Sequence, residues 1–175
     1  MQKVKLPKQL DPFKSAMKRS DYQGVLMAKD MIRLTEAVAD IDDTIAVAVR
    51  FDKDAQGLNF FQGTLSTSVS LICQRCSEPF AHQIHVEFCF SPVQGTDQNE
   101  IDELPDGYDP VEVNDHGEID IIQLFEDELL LSLPIVALHA EKDCKIGQDD
   151  MQYGDVEPDV ERPNPFAVLK ELKRD

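Results

Sequence analysis

The sequence predicts an α+β fold: an antiparallel β-meander, or a small partly open barrel, with a helix at about 119–133 packed on it and terminal helices at the periphery. Three observations carry this reading. Between residues 44 and 90, apolar and polar side chains alternate with period two, the pattern of strands with one packed and one wet face. Turn-forming segments at 54–57 (DAQG) and 73–79 (CQRCSEP) divide that stretch into hairpins. The most apolar stretch, EIDIIQLFEDELLLSLP, repeats instead at helical spacing.

From the N-terminus, residues 4–7 read as extended. A helix is expected from Asp11, with Pro12 in its first turn, where a missing N–H costs nothing, and with Phe13, Ala16 and Met17 apolar. Residues 22–25 read as extended. A longer helix is expected over 28–39, because Met27, Met31, Leu34 and Val38 recur every three or four residues and would face the core. Ile45, Val47, Val49 and Phe51 form the inward row of one strand. Residues 58–65 suggest another strand, bent at Gly63. Leu65, Thr67, Val69 and Leu71 mark the next, and Phe80, Ile84, Val86, Phe88 and Phe90 the last. In the 119–133 helix, Ile122, Phe125, Leu129 and Leu133 define one face, widened by Ile121, Leu124 and Leu131. Glu126, Asp127 and Glu128 interrupt it together, and Pro134 ends it. Pro163, Asn164 and Pro165 open a short final helix whose Lys170, Lys173 and Arg174 suit the negative end of the helix dipole.

A chain of 175 residues is read as a single domain, 1–175, with 94–117 and 140–163 as acidic, turn-rich loops. Charge is distributed unevenly. Residues 97–161 carry 21 Asp/Glu against Lys142 and Lys145, whereas the whole chain has a net charge of −17. Residues 1–19 hold six basic side chains against Asp11. Such a surface attracts basic partners and repels nucleic-acid phosphates over most of its area. Its plainest alternative role is solubility. No run of about 18 apolar residues is present, so no membrane span is expected. The first twenty residues are charged without an apolar centre, unlike a signal peptide, which makes the cytoplasm the expected location. The four cysteines are then expected as thiols or metal ligands rather than disulfides.

Cys73-Gln74-Arg75-Cys76 is the sharpest local motif. Two thiolates two residues apart on a turn can occupy one edge of a zinc tetrahedron. His139 and Cys144 are the candidates to complete it, with Cys89, His82 and His85 as rivals. A redox CxxC is a second reading, opposed by the flanking strands, since redox motifs open a helix in a βαβ unit. Two unliganded cysteines at a strand end are the third. No phosphate-binding glycine loop, GxSxG or HExxH occurs, and no acid–base pair stands out among the many carboxylates, so no enzyme is expected. Lys14, Lys18 and Arg19 form a basic patch that offers direct RNA contact as an alternative.

MQKVKLP, DYQG at 21–24, CQRC at 73–76, FCFSPV at 88–93, EVNDHGEIDIIQLFEDELLLSLPIVALH at 112–139 and PNPFAVLKELK at 163–173 together resemble the proteobacterial branch of the YceD family. The resemblance spans nearly the whole chain. It implies a role in accumulation of 23S ribosomal RNA through its synthesis, processing or stability, and supplies no molecular mechanism. Other branches look richer in cysteine after the long helix, where this chain has Cys144, with His139 nearby. Combined with the charge, the resemblance suggests a non-catalytic holder of a basic ribosomal protein or large-subunit assembly factor. Its expected contact residues are Asp97, Glu100, Asp102, Glu103 and Asp106 in the acidic loop and Glu126, Asp127 and Glu128 on the helix.

Overall fold

The structure is a computed structural model that describes residues 6–95, 104–147, 150 and 154. The expected extended stretch at 4–7 is described only from Leu6, and the final helix lies outside these residues. The elements in chain order are β1 (Gln9–Leu10), α1 (Pro12–Met17), β2 (Asp21–Met27), α2 (Ile32–Ala37), β3 (Asp40–Ile41), β4 (Thr44–Lys53), β5 (Asn59–Ile72), β6 (Pro79–Gln94), β7 (Asp109–Val113), β8 (Ile119–Asp120) and α3 (Ile121–Leu131). Among the described residues, no helix is long and apolar enough to cross a membrane.

The architecture is α+β. One six-stranded sheet runs β2-β4-β5-β6-β7, with β3 pairing β5, and β1 pairs β8 in a separate two-stranded ladder. Strands β2 to β6 are antiparallel to their neighbours, as expected of a meander. Strand β7, within the stretch expected as an acidic loop, joins β6 in parallel, a pairing that its short polar sequence does not announce. The sheet stays open, with β2 and β7 as its edges, rather than closing into a barrel.

One face of the sheet is apolar. Ile45, Val47, Val49 and Phe51 of β4 are all buried, as are Leu65, Thr67, Val69 and Leu71 of β5 and Ile84, Val86, Phe88 and Phe90 of β6. The opposite face carries Arg50, Gln62, Gln83, His85 and Glu87 to solvent. Phe51, Phe61 and Phe90 lie side by side across three strands, with ring centroids 5.0 and 5.5 Å apart. Such cross-strand aromatic pairs add stability beyond their buried area.

The two strands expected at 58–65 and 65–71 are one continuous strand. No bulge interrupts it at Gly63: the register runs unbroken through Val49, Gly63 and Phe88. The glycine is needed for space, since a Cβ there would lie 2.0 Å from the Ala48 carbonyl and 2.9 Å from the Phe88 ring.

The turns follow from local chemistry. In 54–58, Asp54 Oδ1 accepts from the N–H groups of Gln56 and Leu58, and Gly57 takes φ +93°. The same device recurs after β7, where Asn114 Oδ1 accepts from His116 and Glu118 N–H and Gly117 takes φ +73°. Asp11 caps α1 by accepting from Lys14 N–H at 2.9 Å, and Asp120 caps α3 by accepting from Gln123 N–H at 3.0 Å.

The helix expected over 28–39 is shorter. Ala28–Asp30 is a 3₁₀ turn, the chain breaks at Met31 (φ −115°, ψ 76°), and α2 follows. Pairing of Met27 with Thr44 and of Asp40 with Ser70 anchors both ends of the segment in the sheet, which limits the helix. Met31 and Leu34 are fully buried as expected, but Met27 is exposed because strand alternation turns Leu26 inward instead. In α3 the innermost row is Ile121, Phe125 and Leu129 rather than one centred on Ile122, and Leu131 is exposed. Phe125 packs its ring 5.1 Å from that of Phe88, which seats α3 on β6.

Gly63→Val should therefore destabilise the protein by about 3 kcal/mol through overpacking against backbone that cannot yield. The check is a lowered urea midpoint with unchanged denaturant slope; an unaltered midpoint would remove the spatial argument.

Candidate metal centre and acidic groove

The turn between β5 and β6 is built to aim two sulfurs one way. Cys73 N–H donates to the Glu78 carbonyl (2.9 Å), Ser77 N–H donates to the Cys73 carbonyl (2.8 Å), and Ser77 takes φ +58°. After α3, Ser132 caps the helix and the chain passes Pro134 to run along this hairpin tip. Gln74 N–H donates to the Ala137 carbonyl at 2.8 Å, and Lys145 Nζ reaches Glu78 Oε1 at 2.7 Å. The His139 ring packs on Phe80 with centroids 4.9 Å apart, and a 3₁₀ turn at Glu141–Asp143 delivers Cys144.

Cys73, Cys76, His139 and Cys144 are thereby brought together, with one ligand atom from each lying within 4.8 Å of the others. Cys73 is buried and the other three are half-buried. Cys76 Sγ lies 3.4 Å from His139 Nδ1. Burial pushes the Cys73 thiol up, but the backbone N–H groups of His139, Cys76 and Arg75, together with the His139 ring, outweigh it and bring the thiol down to about 5. Burial pushes the Cys76 thiol up, and the adjacent Cys73 and Cys144 add to that. The rivals stand elsewhere. Cys89 lies on β6 near Asp109, and His85 Nδ1 is 2.8 Å from Ser66 Oγ on the solvent face of the sheet.

The acidic residues divide into two kinds. Glu126 is buried, not presented to a partner. Its Oε1 accepts from Leu34 N–H at 3.1 Å, and its Oε2 pairs with the Arg33 guanidinium at 2.8 Å. Asp127, partly exposed, takes the other side of the same guanidinium at 2.6 Å. Both therefore tie α3 to α2. The helical wheel carries the signal for this: Glu126 stands four residues after Ile122 and three before Leu129, on the apolar side. Glu128 is half-buried, and its carboxyl is pushed up by burial and by nearby Asp109 and Asp127. Asp106 is exposed, whereas Asp97, Glu100, Asp102 and Glu103 lie outside the described residues.

A second set of carboxylates lines a groove of ≈ 460 Å³ between the β7–β8 turn and α3: Glu112, Asp115, Glu118 and Asp120, which the sequence did not single out, together with Asp127. Among the described residues no Lys or Arg lines it. Their signal in the sequence is the spacing of Glu112, Asp115 and Glu118 about the Asn-Asp-His-Gly turn.

The basic patch is partly neutralised. Lys14 pairs with Asp11 at 2.9 Å, and Arg19 with Asp52 at 3.3 Å, while Lys18 is an exposed helix C-cap.

A family model described as "Large ribosomal RNA subunit accumulation protein YceD" matches residues 61–173, a span that includes all four clustered Cys and His residues and the carboxylates of the acidic groove. The chain belongs to the YceD family. A similar protein bearing that description, from Haemophilus influenzae, is 42% identical over 175 residues and is covered over 99% of both chains. No solved structure matches the chain.

Two expectations follow for this YceD-family chain. Glu126→Ala should cost about 2 kcal/mol, because it orphans the buried Leu34 N–H, whereas Asp127→Ala should cost under about 1 kcal/mol, as exposed pairs do. Urea melts of both variants check the ranking; equal losses would contradict it. In metal-free protein, Cys73 should titrate with a midpoint near 5, well below a free thiol at 9.0. Because the folded-state value is the lower one, the stability it brings is complete above the unfolded value, declines as pH falls, and is lost below about 5. Ultraviolet thiolate absorbance against pH reads this step, which should vanish in Cys73→Ser.

Proposed function

We propose that this chain supports accumulation of large-subunit ribosomal RNA in the cytoplasm as a non-catalytic binding protein. It holds a basic ribosomal protein or large-subunit assembly factor on its acidic surface. The observation that carries the reading is the groove in which Glu112, Asp115 and Glu118 stand with no lysine or arginine among the described lining residues, whereas Asp120 and Asp127, which also line it, already face Lys8 and Arg33. Like charges crowded beside a groove repel one another, and a cationic partner relieves that repulsion as it binds. The description borne by the family and by the Haemophilus influenzae relative supports the process. The block of net negative charge over 97–161 supports a basic partner over a polyphosphate one. Direct rRNA binding through Lys14, Lys18 and Arg19 has less support, because Lys14 and Arg19 already face Asp11 and Asp52.

The test is a salt-titrated binding assay against purified large-subunit ribosomal proteins and 23S rRNA fragments. Tight binding to a basic protein is expected, weakening as salt rises. Combined Asp115→Lys and Glu118→Lys should weaken it by tenfold or more, an order expected from the charge reversal, with the thermal midpoint retained. Combined Lys14→Ala, Lys18→Ala and Arg19→Ala should leave it unchanged. Specific RNA binding at physiological salt that the triple variant abolishes, with no protein bound, would sink the reading.

A further inference from the structure

We propose that Cys73, Cys76, His139 and Cys144 hold one Zn²⁺ in a closed tetrahedral site, and that this ion fastens the arm after α3 to the tip of the β5–β6 hairpin. The inference goes beyond the partner-holding role and does not depend on it.

Donor chemistry and spacing agree. Three sulfurs and one imidazole nitrogen are the ligand set of structural zinc. Zinc–ligand bonds of about 2.0 to 2.3 Å put neighbouring ligand atoms of a tetrahedron about 3.5 to 3.8 Å apart. Cys76 Sγ and His139 Nδ1 are 3.4 Å apart, and the whole set spans 4.8 Å at most. These donors come from distant parts of the chain: Cys76 and His139 are 63 residues apart. A redox dithiol fits less well, because the motif sits on a hairpin tip with no helix following it.

The arm itself explains why an ion is needed. Ile135, Val136 and Leu138 point outward, with Ile135 96% exposed, and Ala137 is the buried apolar residue between them. Two of the polar tethers from the tip are long: Gln74 Nε2 to the Ile135 carbonyl at 3.4 Å and Arg75 Nη1 to the Ile146 carbonyl at 3.5 Å. Beyond the Gln74–Ala137 backbone bond, the Lys145–Glu78 pair and the His139–Phe80 contact, little apolar burial holds this segment, and a four-ligand clasp is the strongest tie the local chemistry offers. Four protein ligands also leave no position for a reacting water, so the site is structural.

The full-length protein, purified without chelators, is assayed for metal by mass spectrometry. It is then stripped and refilled with Zn²⁺ or Co²⁺. One zinc per chain is expected, and Co²⁺ should give thiolate charge-transfer bands with the intense visible bands of tetrahedral cobalt. Cys144→Ser and His139→Ala should each weaken zinc binding by more than about 100-fold, the upper range for losing a group that merely supports a ligand. Cys89→Ser should bind like the parent. If Cys73→Ser fails to fold by circular dichroism, the two half-buried positions carry the test. Stripping should raise amide exchange in 132–147 and 73–78 while β4 and β5 stay protected. Absence of zinc before and after refilling, or unchanged affinity in both variants, would overturn the site. Zinc extraction with no change in arm exchange would overturn the fastening role. No partner is present in these assays, so their failure leaves the acidic-groove reading standing, and failure of partner binding leaves the metal site standing.

Discussion

The pairing of β5 with β6 is the constraint on which the other features depend. It runs without a break from Phe61 opposite Phe90 to Ile72 opposite Pro79. Because side chains alternate, a slip of one residue would turn Leu65, Val69, Ile84 and Val86 to water and bring Gln83, His85 and Glu87 inside. That penalty makes the register strict. The same ladder performs two tasks along its length. At one end it aligns Phe61 and Phe90 with Phe51 of β4 and offers Phe88 to Phe125 of α3. At the other end it delivers Cys73 and Cys76 on a turn whose geometry the last ladder pair sets.

Helix α3 inherits its position from that ladder and is then tied to α2 electrostatically. Phe125 meets Phe88, and the next residue, Glu126, turns its carboxylate to Arg33 and to the Leu34 N–H. Burying a carboxylate costs several kcal/mol unless it is paired and hydrogen-bonded, and here both conditions are met. The pair adds orientation more than net stability, since a hydrophobic replacement of both partners could serve as well energetically. Orientation matters because the exit of α3 must bring His139 and Cys144 within reach of the hairpin tip. A rotated α3 would carry the arm away from Cys73 and Cys76.

Much of this was legible in the sequence, for physical reasons that also mark where legibility stops. Strands β4, β5 and β6 each have one wet and one dry face, so alternation exposes them directly. The Asp54 turn and the Asp11 cap are local hydrogen-bond chemistry, which the chain spells out within a few residues, whereas the pairing of Ile119–Asp120 with Gln9–Leu10, which moves the helix start to Ile121 and leaves Asp120 as its cap, is long-range. Strand β7 was not legible. Asp-Pro-Val-Glu-Val is short, polar and adjacent to an acidic stretch, and only its parallel partner β6 makes it a strand. The break at Met31 is likewise dictated from outside, by sheet pairing at Met27 and Asp40. At the Cys/His cluster, the Cys-x-x-Cys half is local and readable, whereas the choice of His139 and Cys144 over His85 and Cys89 depends on where α3 ends. Glu126 is buried although its charge suggests an exposed face, because charge alone does not tell a buried partner from a solvated one.

That last distinction bears on how the acidity of the chain should be interpreted. Negative charge in this protein is not one population. Asp11, Asp54 and Asp120 accept backbone N–H groups, Glu126 and Asp127 hold Arg33, and Asp52 neutralises Arg19 and Arg50. These carboxylates are internal counter-charges, and their effect at a distance is largely cancelled by the groups they contact. Glu112, Asp115 and Glu118 differ, because no lysine or arginine among the described residues lines their groove to cancel them. Lys14 feels Glu118 electrostatically but spends its hydrogen bond on Asp11. Within this groove, the field that a basic partner would meet therefore comes mainly from Glu112, Asp115 and Glu118. A localised field of this kind orients an approaching cationic protein as well as attracting it, which a uniformly acidic, merely soluble surface would not do.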